Sequence, residues 1–94
     1  MFMIDVVGVK HLQAHLLELT FEDGLTAVVD MDRIISRYDG VFSQLQNLDY
    51  FRQVRVDKET GTIVWPNGAD ICPDVLYSFA SGKPIIIQGE RVLN

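Results

Sequence analysis

The chain has 94 residues, enough for one small domain with one thin core. Its 48% hydrophobic and 22% charged residues exclude an intrinsically disordered chain. With 13 acidic and 8 basic residues the net charge is -5, which weighs against nonspecific nucleic-acid binding, an affinity that Lys and Arg supply by neutralising phosphates.

Phe2 to Lys10 is rich in Val and Ile and reads as a first strand, with Gly8 marking a bulge or a close approach. In His15 to Phe21, Leu17, Leu19 and Phe21 alternate with Glu18 and Thr20, the period of a strand with one buried face. Asp23-Gly24 then signals a hairpin. A three-residue loop, Glu22 to Gly24, sets Phe21 opposite Leu25, Leu19 opposite Ala27 and Leu17 opposite Val29. A two-residue turn would set Leu17 against Asp30. Burial selects the longer loop, with Gly24 left-handed in a bulge.

Asp30 is placed to cap a short helix, Met31 to Arg37, with Ile34 and Ile35 pointing inward. Val41 to Asn47 reads as a second helix whose buried stripe is Val41, Leu45 and Leu48, with Phe42 beside it. A second hairpin turns at Lys58 to Gly61, pairing Val56 with Ile63 and Val54 with Trp65. Pro66-Asn67-Gly68 turns the chain again. Pro73 opens a helix over Asp74 to Ala80 with Val75, Leu76 and Phe79 on its apolar side and Tyr77 at the rim. Ser81-Gly82 ends it. Ile85 to Ile87 forms an added strand or packs on a second subunit. The order predicts an α+β fold: a small antiparallel sheet built from hairpins, with short helices packed on one side. Residues 1–82 form the domain, and 83–94 a tail that is a strand or an oligomer contact.

The lone Cys72 cannot close an internal disulfide, and no segment approaches the roughly 20 apolar residues of a membrane helix. The N-terminus also lacks a basic leader. The expectation is a soluble cytoplasmic protein, with no membrane association.

Chemistry concentrates in WPNGADICPDVLY, Trp65 to Tyr77, which holds the sole Trp, the sole Cys and two of the 3 Pro. Trp65, Asn67, Asp70, Asp74 and Tyr77 are the candidate ligand or interaction surface. Each has a plainer reading: Trp65 in the core, Asn67-Gly68 as a turn, Asp70 on local backbone, Asp74 in a first helical turn, Tyr77 as a packing anchor. Cys72 lacks an adjacent activating base and reads as a small buried residue. His11 and His15 are too few for a zinc site and read as solvated strand-junction residues. No catalytic residue, metal site or cofactor is assigned. Arg33 and Arg37, four apart on one helix face, would form with Arg52 and Arg55 a candidate basic patch. Asp30, Asp32, Asp39 and Asp49 dilute it, making nucleic acid an unfavoured partner.

These segments together resemble the bacterial family called domain of unknown function 2442. LELTFEDGLTAVVD, GVFSQLQN, Tyr50-Phe51 and GTIVWPNGADICPDVLY carry the resemblance, which runs from about Val6 to Ser81. The resemblance implies a small α+β domain, found alone or joined to a helix-turn-helix domain, with no catalytic residues to carry over. The 13 residues after Ser81 are too few to add such a domain here. Genes of such proteins often neighbour another small uncharacterised protein, which implies a regulatory or toxin–antitoxin-like pairing. The expected function is a noncatalytic protein-interaction or regulatory domain whose partner is a small protein or a second copy. The alternatives are a small-ligand or enzymatic domain at Trp65 to Tyr77, and nucleic-acid binding through the arginines.

Overall fold

Alternating burial along Leu16 to Asp30 builds the centre of the molecule. In a computed structural model, which describes residues 4–82 and the backbone of 85–87 and 90–93, strand β1 (Val6–His11) pairs with β2 (Leu16–Phe21), and β2 with β3 (Thr26–Asp30), all antiparallel. Phe2 lies outside the described residues. Leu17 faces Val29 and Leu19 faces Ala27, and the Phe21 amide donates to the Leu25 carbonyl, the register of the three-residue loop. Gly24 has φ +93°, the left-handed geometry that loop requires.

The β1–β2 register shifts between Val6 and Gly8. One extra residue at this bulge exchanges the faces of β1. Val6 therefore packs over Phe21, while Val9 and His11 align with Leu19 and Leu17, so both halves of an otherwise out-of-phase strand reach the core side.

Three helical pieces follow. Asp30 caps α1 (Met31–Ile34), its side chain accepting the Asp32 amide at 3.0 Å. The helix is shorter than the predicted Met31 to Arg37. Ile35 is already extended and buried, so the chain gains more by driving Ile35 into the core than by completing another turn. The next segment, Gly40–Gln46, is a 3₁₀ helix rather than an α-helix. Three residues per turn align Phe42 with Leu45, not Val41 with Leu45 and Leu48. Leu45 is fully buried and Phe42 half-buried, whereas Val41 and Leu48 are exposed, so the predicted stripe is replaced by its neighbour. Asn47 ends that helix and caps α2 (Leu48–Phe51), accepting the Asp49 amide at 2.9 Å.

The second hairpin pairs β4 (Arg55–Asp57) with β5 (Thr62–Val64), with Val56 opposite Ile63 as expected. Val54 and Trp65 fall just outside the ladder. Asp70 returns as an isolated bridge to Val64. Thr62, though polar, is buried because its hydroxyl donates to the Ile71 carbonyl at 2.5 Å. Helix α3 (Pro73–Ser81) starts on Pro73 and ends at left-handed Gly82. Strands β6 (Ile85–Ile87) and β7 (Glu90–Leu93) pair antiparallel; the side chains of the Ile run lie outside the described residues. The fold is therefore α+β, with separate hairpin sheets and short helices around a core of Leu17, Leu19, Phe21, Phe51, Trp65 and Leu76.

Candidate functional site

The Trp65–Tyr77 segment begins as a closed turn. The Gly68 amide donates to the Trp65 carbonyl at 2.9 Å, and the Trp65 amide to the Ala69 carbonyl at 2.9 Å. Trp65 is 1% exposed, and its indole Nε1–H donates to the Phe51 carbonyl at 2.8 Å, so its polar edge points into the protein. Asn67 is exposed yet fully engaged. Its Nδ2 donates to the Val41 carbonyl and to Gln44 Oε1, both at 2.9 Å, and its Oδ1 accepts the Ala69 amide at 3.0 Å. The amide thus ties the turn to the 3₁₀ helix.

The remaining candidates separate. Asp70 is exposed at the bridge to Val64, and Asp74 lies in the first turn of α3. Tyr77 is not at the rim but 7% exposed, its ring edge-on to Phe21 at 5.0 Å. Its hydroxyl donates to Asp23 Oδ2 at 2.5 Å, and that bond first, then burial and the carboxylate charge, raises its pKa. Cys72, expected to be buried, is exposed: it precedes Pro73 at the start of α3, outside the helix's inward face.

The arginines are distributed rather than gathered on one helix. Because α1 stops at Ile34, Arg37 falls outside it and shares no helix face with Arg33. Arg37 pairs with Asp39 at 3.6 Å, Arg52 with Asp49 at 2.8 Å, and Arg33 stacks over Phe79 at 5.7 Å. Arg55 is exposed on β4.

A cluster that the sequence reading sets aside forms around His15. The ring is enclosed, not solvated: Tyr38 lies 5.1 Å away by ring centroids and Phe51, edge-on, 4.6 Å. His15 Nε2 is 2.9 Å from the Leu45 carbonyl oxygen and Nδ1 is 3.2 Å from Asp32 Oδ1. Since a carbonyl only accepts, Nε2 carries a hydrogen there. Tyr38 donates its hydroxyl to the same Asp32 oxygen. Partial burial, reinforced by the Asp32 hydrogen bond and by the Asp32 and Asp30 charges, raises the Tyr38 pKa. His11 completes the group, edge-on to Phe51 at 5.7 Å with Nε2 2.8 Å from the Ala14 carbonyl. With Nε2 on the Leu45 carbonyl and Nδ1 on Asp32, both imidazole nitrogens of His15 are engaged inside the protein. The His–Asp–Tyr grouping braces the 3₁₀ helix against β2 and α1. The local signal was the pair His11 and His15 flanking one turn; the distant partners Asp32, Tyr38 and Leu45 were not marked.

Two shallow grooves lie elsewhere. One, about 220 Å³, runs between Val6, Val7 and Val56 with Asp5 and Lys58 at its edge. The other, about 300 Å³, is floored by Ile34, Ile35, Phe42 and Ile71 beside Arg37 and Asp39. Of the Trp65–Tyr77 segment, only Ile71 lines either groove. Among the described residues no group of three or more His, Cys, Asp or Glu is arranged to hold a metal ion, and no helix is long and apolar enough to cross a membrane.

A sequence model of the family described as "Protein of unknown function (DUF2442)" matches residues 6–82, ending where α3 meets Gly82. No curated protein and no solved structure matches the chain.

Proposed function

Since the chain belongs to the DUF2442 family, whose description assigns no activity, we propose from its own geometry that it is a noncatalytic protein-interaction domain with a regulatory role. The observation that carries this reading is the inward use of the chemistry-bearing segment: Trp65, Asn67 and Tyr77 direct their polar atoms to Phe51, to Val41 and Gln44, and to Asp23. Large apolar side chains face outward instead. Val7 is 56% exposed, Val28 54% and Val41 49%. These exposed valines offer apolar contact area to a protein partner, while the polar groups of Trp65 and Tyr77 are engaged within the fold.

The partner is a second small protein, as in a toxin–antitoxin-like pair, with a second copy of this chain as the competing occupant. The tail at 83–94 is the proposed oligomer contact. The setting is the bacterial cytoplasm, a reducing compartment that suits the unpaired thiol of Cys72.

Affinity capture of the tagged protein from its native cells, with mass spectrometry and recovery of bound nucleic acid, tests the reading. A small protein recovered in stoichiometric amount, and lost on Val28→Asp or Val41→Asp, is the expected result. A strict monomer by sedimentation that captures nothing would overturn it. Salt-sensitive RNA or DNA binding lost with Arg33, Arg37, Arg52 and Arg55 would move the assignment to nucleic acid. The small-ligand alternative, set at Trp65 to Tyr77, has only Ile71 of that segment at a groove, beside Ile34, Ile35 and Phe42.

A further inference from the structure

Asn67-Gly68 is the most chemically reactive dipeptide in the chain, because the unhindered nitrogen of a following Gly can attack an asparagine side chain, and Asn is inherently thermolabile. No atom lies within 4 Å of where a Cβ on Gly68 would stand, and Asn67 is exposed to water. Yet the fold engages every group the reaction must release. Ring closure forms a bond from the Gly68 nitrogen to Asn67 Cγ and breaks the Cγ–Nδ2 bond. The Gly68 amide proton leaves with Nδ2 as ammonia. Nδ2 is the atom that holds Val41 and Gln44, and the Gly68 N–H is the donor to Trp65. Water then opens the cyclic imide at either carbonyl, giving aspartate or isoaspartate. In sum, amide and water become acid and ammonia, and no oxidant or reductant is required.

We propose that Asn67 is a deamidation site gated by docking of the 3₁₀ helix Gly40–Gln46, and that deamidation prevents this helix from docking again. While Val41 and Gln44 accept from Nδ2, departure of ammonia must break both bonds, so conversion proceeds from the opened form. After conversion to aspartate the geometry is reversed. Oδ1 still accepts from the Ala69 amide, but the second oxygen faces the Val41 carbonyl, which cannot donate. Gln44 can turn its amide to supply hydrogens; the Val41 backbone carbonyl has none to offer. Isoaspartate further adds a backbone carbon to a turn closed by the Gly68–Trp65 and Trp65–Ala69 hydrogen bonds. Among the described residues, the other side-chain hydrogen bond to this helix is that of His15 to the Leu45 carbonyl.

The test incubates the full chain in mildly alkaline buffer, folded and in urea, and follows amide-to-acid conversion at Asn67 by peptide mapping. Conversion is expected to be at least about tenfold slower in the folded protein, the margin set by the local opening equilibrium. Gln44→Ala, which removes one acceptor from an exposed position, is expected to accelerate the folded-state reaction severalfold. Protein deamidated in urea and refolded is expected to show faster amide exchange across residues 40–47, with β1–β3 unchanged. Equal rates in the folded and unfolded chain would overturn the gating. Absence of conversion in urea would overturn the site itself. Unchanged exchange over 40–47, in the refolded deamidated protein and in Asn67→Asp alike, would overturn the consequence for docking.

Discussion

The Tyr77 hydroxyl donates to Asp23 at 2.5 Å across 54 residues of sequence, joining α3 to the tip of the β2–β3 hairpin. This bond and the Tyr38–Asp32 bond make stability depend on alkaline pH. Both phenols have pKa values raised above the ordinary 10.0. As pH passes 10.0 the unfolded chain releases these protons while the folded chain retains them, so the folded state binds more protons and stability falls with rising pH. The contribution is complete below pH 10.0 and is lost as pH climbs through the folded-state values. Chemical denaturation at a series of alkaline pH values is expected to show this decline. Tyr38→Phe and Tyr77→Phe should each flatten it; an unchanged slope in both variants would contradict the assignment.

Trp65→Phe tests whether the indole is a core element with a polar anchor. The substitution removes the Nε1 bond to the Phe51 carbonyl and part of a ring packed 5.6 Å from Phe51. That carbonyl keeps the Val54 amide at 3.2 Å, so the loss is moderated. The expected cost is about 1–3 kcal/mol, measured by urea unfolding. A variant as stable as the parent would show that this buried contact contributes nothing.

Gly61→Ala separates strain from collision. A Cβ there would stand 2.3 Å from Asp5 Oδ1, and Gly61 has φ +71°. The Asp5 carboxylate can rotate away, but the left-handed backbone cannot be relieved without losing the turn and the Val6 amide bond to the Gly61 carbonyl. Strain should therefore dominate, at about 1–2 kcal/mol. In a double-mutant cycle Asp5→Ala is expected to restore less than half of the loss; full restoration would identify collision as the cause.

His15→Leu keeps an apolar body between Tyr38 and Phe51 while removing both nitrogen contacts. The expected cost is about 1–2 kcal/mol. Hydrogen exchange should rise over the 3₁₀ helix, which loses its Leu45 anchor, before it rises in β2. Uniform acceleration across the chain would instead indicate a general core role for the ring.

The contrast between the two hairpins and the predicted helices shows what local pattern can specify. Leu17, Leu19 and Phe21 alternate strictly, and a one-residue slip would expose all three, so the register with Val29 and Ala27 was legible from the sequence. Pro73 and Gly82 likewise delimit α3 by φ preferences that act within a residue or two. The Gly40–Gln46 segment carries apolar residues at both α and 3₁₀ spacings, Val41 to Leu45 and Phe42 to Leu45, and only packing chooses between them. At the candidate site, the turn at Asn67-Gly68 and the capping position of Asp30 were visible because their partners lie two residues away. The Asn67 contacts to Val41 and Gln44 were not.

By itself, then, the sequence determined the α+β class, the registers of both hairpins, the bounds of α3 and the family, because burial periodicity and backbone sterics act over a few residues. Tertiary structure alone decided that Trp65 points its indole N–H at Phe51, that Tyr77 reaches Asp23, and that His15 joins Asp32 to Leu45. These bonds span from 14 to 54 residues along the chain. Their partners are selected by which polar atoms remain unsatisfied once the apolar core has closed, a condition that no short stretch of sequence contains.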